Sequence, residues 1–165
     1  AGAIQHFSQK SAFQLQVKQQ KIALANIVAC EIFGILEVAS RRKWVEDLYA
    51  RAEALRSNQE QAAQAMRLIR KEATMKQSSF DYLIGAYTRK VDELGALGDL
   101  AKGVVDFYNG LLLTQGVLES IGQVEFLEEV LPVQLAEILE IEANALAICL
   151  KQGDLTANAL RAGFH

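Results

Sequence analysis

Apolar residues recur at three- and four-residue spacing along nearly the whole chain, the spacing of one face of an α-helix. The first stretch is the exception. Residues 8–21 are glutamine-rich around Phe13 and Val17 and read as an exposed helical lead-in, so a polar N-terminal arm is placed at about 1–21. Residues 22–39 are the most apolar stretch, with Asn26, Glu31 and Glu37 as its only strongly polar side chains. Asn26 and Glu37 are about three turns apart on one face, and Glu31 lies off it. Such a segment belongs at the centre of a bundle or in a membrane. In a bundle its glutamates need partners, and basic residues of a neighbouring helix are the expected ones.

From Arg41 the pattern becomes amphipathic. Trp44, Val45, Leu48, Tyr49, Ala52 and Leu55 form an apolar stripe backed by charged residues. Ser57, Asn58, Gln59 and Glu60 have the order of a capping box, which predicts a break near Ser57. The alternative is one unbroken helix over about 11–76, a rod of roughly 100 Å. Met66, Ile69, Ala73 and Met75 carry the next stripe, and Ser78, Ser79, Phe80 and Asp81 offer a second cap. Phe80, Leu83, Ile84, Tyr87, Val91 and Leu94 follow at helical spacing. Gly95 and Gly98 then flank a turn with Asp99 as the next N-cap, which places a chain reversal near 95–99. Pro132 suits the first turn of a further helix. Gly153 is expected to end that helix, Asp154 to cap a short last one, and Gly163 to terminate it.

Within the apolar stretch that follows the reversal, Gly103, Gly110, Gly116 and Gly122 recur every six or seven residues. A glycine inside a helix costs about 0.5–1 kcal/mol relative to alanine. Close approach of a neighbouring helix is the usual compensation, so these four are the candidate helix-packing interface. Bends at the glycines are the competing reading.

Composition narrows the fold class. The chain has 165 residues, 51% of them hydrophobic, and a single proline. A β-containing domain of this length needs more turn residues. The sequence therefore predicts a single all-helical domain over 1–165: an elongated bundle of long antiparallel helices, about four to six in number. Cys30 and Cys149 sit in apolar helical stretches and read as buried thiols, although a disulfide between helices is not excluded. No signal peptide is evident at the N-terminus, which favours the cytoplasm, with an exported and processed protein as the alternative.

Charge is unevenly spread. Residues 1–90 carry 14 Lys/Arg against 8 Asp/Glu, net +6, and residues 91–165 carry 3 against 12, net −9. The halves should attract, within one chain or head-to-tail between chains. Arg41, Arg42, Lys43, Arg67, Arg70 and Lys71 form the candidate basic interaction face. Nucleic acid could use such a row, but no binding module surrounds it and the chain is acidic overall.

Catalytic chemistry is hard to assemble from this sequence. The only histidines, His6 and His165, lie at opposite ends. No Cys-x-x-Cys, Glu-x-x-His, phosphate loop or GxGxxG occurs. The pairs Glu128/Glu129 and Glu137/Glu140 read as solvated faces. No catalytic residue, cofactor or metal is expected. The leading expectation is a non-enzymatic structural or interaction protein, a homo-oligomeric or partner-bound subunit of a larger helical assembly such as a secretion, virion or filament component. The first alternative is a membrane-inserting or pore-forming protein, because residues 22–39 approach a spanning length and are followed by Arg41, Arg42, Lys43 and Trp44. Glu31 and Glu37 weigh against a lipid-facing span. A weaker alternative is a small-ligand sensor with an apolar pocket lined by Trp44, Tyr82, Tyr87, Phe107 and Tyr108.

Overall fold

The structure is a computed structural model. It describes residues 2–73, 77–123 and 128–163, and the side chains of all of these except 72, 73 and 77–79. Every regular element in it is helical: α1 (Gly2–Arg41), α2 (Trp44–Leu55), α3 (Gln59–Ala73), α4 (Gln77–Leu83), α5 (Gly85–Lys90), a 3-10 helix (Val91–Leu97), α6 (Leu100–Ile121) and α7 (Pro132–Gly163). α1 and α2 make one arm of 54 residues, Gly2–Leu55. The described chain is thus an all-α bundle of six α-helical units.

The chain runs along the bundle axis four times. The α1–α2 arm is antiparallel to α7: Phe33 lies under Arg161, Tyr49 bonds Asn144, and Arg56 pairs with Glu140. The segment from α3 to the 3-10 helix returns beside the arm, bringing Ala86 and Tyr87 to the level of Glu31. α6 then runs antiparallel to α7, with Gly103 against Thr156 and Gly110 against Cys149. α7 packs against α1, α2 and α6 and is the wall that they share. The reversals fall at 56–58, at Gly98 and between α6 and α7. Gly98 has φ 61°, a left-handed conformation that glycine adopts without steric cost.

The arm bends where the sequence reading places no break. Lys43 has φ 52° and is the described chain's positive-φ residue other than glycine. That conformation costs about 1–2 kcal/mol for an L-residue. The reason is phase. Ala39 and Leu48 are both buried, yet nine residues of continuous helix would put them about 180° apart. An unbroken helix would also turn the charged Arg42, Lys43 and Glu46 inward. The left-handed residue resets the phase, so Trp44, Val45 and Leu48 rejoin the core side.

The break near Ser57 is present, but the cap is Asn58. Its Oδ1 accepts the Gln61 N–H at 2.9 Å, whereas the Ser57 hydroxyl donates to the Glu53 carbonyl. α4 starts at Gln77, ahead of the expected cap at Ser78. α7 starts at Pro132, and the Gln134 side chain reaches back to accept the Leu131 N–H at 3.1 Å. The expected stop at Gly153 is wrong. α7 continues to Gly163, and Gly153 is a buried interior position covered by the Phe107 ring.

The core is drawn from all four passes: Val28, Ile32, Ile35 and Leu55, then Ile84, then Phe107, Tyr108 and Leu111, then Leu135, Leu139 and Leu160. Each fully buried aliphatic or aromatic side chain of this size contributes roughly 1.5–3 kcal/mol relative to exposure.

Candidate functional site

Three features could serve a function: a projecting helix, an apolar groove and a half-open cavity. The first 15 described residues of α1, from Gly2 to Gln16, are all exposed, and core burial begins at Leu24. About 20 residues therefore project past the packed bundle, roughly 30 Å of helix. Ile4 and Phe7 are each 77% exposed there, with Phe13 and Leu15 also bare. Ile4, Leu15 and Ile22 share one side of the helix with Phe7. Residues 2–21 carry Lys10, Lys18 and Lys21 and no carboxylate.

The groove lies towards the opposite end of the bundle, between α6 and α7. Leu112, Leu113, Gly116, Val117, Ser120, Ile121 and Ile138 line it. Leu113 is 71% exposed, and a side chain built on Gly116 would meet nothing. Along the outer side of α7, Ile141, Ile148 and Leu155 are exposed at seven-residue spacing. That spacing is the pattern of a helix seam awaiting a second helix. Glu119, Glu128, Glu129 and Glu137 are exposed at this end.

The cavity is a half-open cleft in the side of the bundle, with a volume of about 270 Å³. Leu48, Ile69, Leu83, Leu111, Leu139 and Leu146 supply much of its apolar lining, with Trp44 and Phe80 beside them. Arg42, Asp47, Arg51, Gln115 and Glu119 supply its polar part. Asp47 pairs with Arg51 at 3.5 Å, and Gln115 donates to Glu119 at 3.1 Å. Of the expected pocket aromatics only Trp44 lines it. Tyr82 is 89% exposed, while Tyr87, Phe107 and Tyr108 are core residues. The aromatic positions were legible as helical periodicity, but which of them border empty space depends on how the helices meet.

Glu31 is held differently from expectation. Its carboxylate accepts the backbone N–H groups of Ala86 at 2.5 Å and Tyr87 at 3.0 Å, and the Tyr108 hydroxyl at 2.7 Å. No basic side chain among the described residues takes part. α5 has no side-chain cap of its own at Ile84, so a carboxylate from α1 takes over the orphan N–H groups of its first turn. Tyr108 stacks on Tyr87 with ring centroids 3.9 Å apart. Burial, and then the bond to Glu31, pushes the Tyr108 hydroxyl far above the usual phenol range. Glu37 instead pairs with Arg41 on the surface of its own helix.

The other expected sites divide. Gly103 and Gly110 do face α7: a Cβ would lie 2.9 Å from the Thr156 hydroxyl oxygen and 2.8 Å from the Cys149 sulfur. Gly116 faces open space, and Gly122 is the C-cap of α6. Cys30 is exposed and Cys149 half-buried, and both are free thiols. Burial pushes the Cys149 thiol up to about 11, and it donates to the Phe107 carbonyl at 3.2 Å. Lys43 sits at the bend and Arg42 at the cavity, while Arg67 donates to the Ala63 carbonyl and Arg70 is exposed with Lys71 on α3. The basic residues thus spread over two helices and a bend. Across the two charge halves the ion pairs between described residues are Arg56–Glu140, with Nη2 and Oε2 3.1 Å apart, and Lys90–Glu93, a local pair that straddles the boundary at residue 90. The Arg56–Glu140 hydrogen bond holds the Glu140 carboxyl below its ordinary value and the Arg56 guanidinium above its own. Met75, Lys76, Glu125 and His165 lie outside the described residues.

No known protein family matches the chain. Neither a curated protein nor a solved structure matches it.

Proposed function

We propose that this chain is a non-enzymatic interaction protein, a subunit that joins a larger helical assembly by helix packing. The observation that carries this reading is the projecting start of α1, about 30 Å long, with Ile4, Phe7, Phe13 and Leu15 bare on it. A helix with that much apolar surface in water gains by burying it. A second copy of the chain is the partner. The projection is basic and lies at one end of the bundle; the α6–α7 groove is apolar, edged with carboxylates and lies towards the other. Such a head-to-tail contact uses two different surfaces, so it builds rings or open filaments and not only dimers.

Sedimentation of the full chain and of a chain lacking residues 1–20 tests this reading. The full chain should run above the 18.2 kDa monomer, more so at low ionic strength, where opposite charges attract over a longer range. The shortened chain and Leu113→Glu should both run as monomers, the point variant with unchanged helicity and the shortened chain losing only the helical signal of the removed turns. A full chain that is monomeric at every salt concentration would overturn the reading. The arm Gly2–Leu55 is long and apolar enough to cross a membrane by length and composition. A monomer that floats with liposomes would therefore replace assembly with membrane insertion.

A further inference from the structure

We infer that the cavity among α2, α3, α4, α6 and α7 is a binding site for a small amphiphile with an apolar body and a single carboxylate. The inference is tested apart from the assembly reading: the cavity borders the α6–α7 groove at Ile121 and Glu119 but shares neither the projecting helix nor the outer stripe of α7, and its readout is ligand binding, not self-association. Its volume, about 270 Å³, exceeds the roughly 150 Å³ that accommodates a benzene-sized guest in an apolar protein cavity. Its walls include Leu48, Leu83, Leu111 and Leu139, which offer contact to a hydrocarbon and no hydrogen bonds. The apolar walls of this half-open cleft lack packing partners when it is empty, and an apolar guest supplies them.

The polar residues select the head group. Asp47 and Arg51 face each other as an ion pair, and Glu119 accepts from Gln115. Arg42 is the lining charge that makes neither an ion pair nor a side-chain hydrogen bond among the described residues. A carboxylate can take two parallel N–H bonds from its guanidinium while the chain behind it enters the apolar space. An ammonium head would face Arg42 as a like charge, and a hydroxyl head would gain only a neutral acceptor's bond.

Trp44 is the chain's single tryptophan and lines the cavity, so its emission reports occupancy. Octanoate, octanol and octylamine are titrated against the full chain, with thermal unfolding as a second readout. Octanoate should shift the Trp44 emission, raise the melting temperature and bind most tightly of the three. Arg42 is exposed, so Arg42→Gln should fold normally. That variant should weaken octanoate by about three- to tenfold, the range between an exposed ion pair and a charged hydrogen bond, and leave octanol unchanged. Leu118 also lines the cavity, and Leu118→Phe, which adds bulk there, should weaken both. Absence of octanoate binding, equal or tighter binding of octanol or octylamine, or an Arg42→Gln variant that binds octanoate as the parent does would each overturn the assignment.

Discussion

Glu31 shows how one side chain joins three elements. It belongs to α1, caps α5 and holds Tyr108 of α6. Glu31→Gln keeps the size but turns a donor group towards donors and removes the charge that favours a helix N-terminus. The expected cost is about 1.5–3 kcal/mol, the usual range for a hydrogen bond to a charged group. Tyr108→Phe removes one of the three donors and keeps the stacking on Tyr87, so its cost should be smaller, about 1 kcal/mol. Urea unfolding monitored by circular dichroism measures both; equal costs, or none, would refute this account. The polarity of Glu31 within an apolar run marked it in the sequence as a residue needing a partner. Its actual partners are backbone N–H groups 55 and 56 residues away, which no side-chain pattern encodes.

At the scale of elements, periodicity located the helices better than it located their breaks. Stripes of apolar residues place α2, α6 and most of α7 correctly, because each buries one face. Gly153 was read as a stop, since glycine commonly ends helices. It instead makes room for the Phe107 ring, and nothing local distinguishes the two roles. The difference is measurable. Gly153→Ala would drive a Cβ into that ring and should destabilise by about 1–3 kcal/mol, the ordinary penalty of overpacking. Gly34, on the exposed side of α1, has nothing within 4 Å of the added atom. Gly34→Ala should stabilise by about 0.5–1 kcal/mol through helix propensity alone. Thermal unfolding of the two variants checks the pair; shifts of the same sign would contradict the packing described. The Lys43 bend was legible in principle, because Ala39 and Leu48 cannot share a face of one continuous helix. That signal becomes usable only once both are known to be buried.

At the scale of the whole molecule, the all-helical class followed from composition and period, while the order of packing did not. The acidic and basic halves suggested an electrostatic clasp, yet the described ion pairs are mostly within one helix, as in Arg41–Glu37, Arg51–Asp47 and Lys102–Asp106. Apolar contact with α7 does the joining. A chain ending at residue 131 should therefore keep helical circular dichroism but lose its cooperative thermal transition. A sharp transition in that fragment would show that α1, α2 and α6 make a core without the shared wall. The projecting helix and the groove were not separable from sequence, because both read as amphipathic helix. What distinguishes them is which amphipathic faces remain uncovered after folding.

The shared wall also has a consequence in time. α7 is synthesised after every element that it covers. At about 5–20 residues per second, the interval between making Ala39 and making Leu139 is roughly 5–20 s. For the later part of it, once they have cleared the exit tunnel, residues 22–39 are outside the ribosome without their main cover and have the apolar length of a membrane span. The nascent chain thus offers chaperones and membrane-targeting factors a segment that the finished molecule largely withdraws, and its fate in the cell turns on how soon α7 arrives.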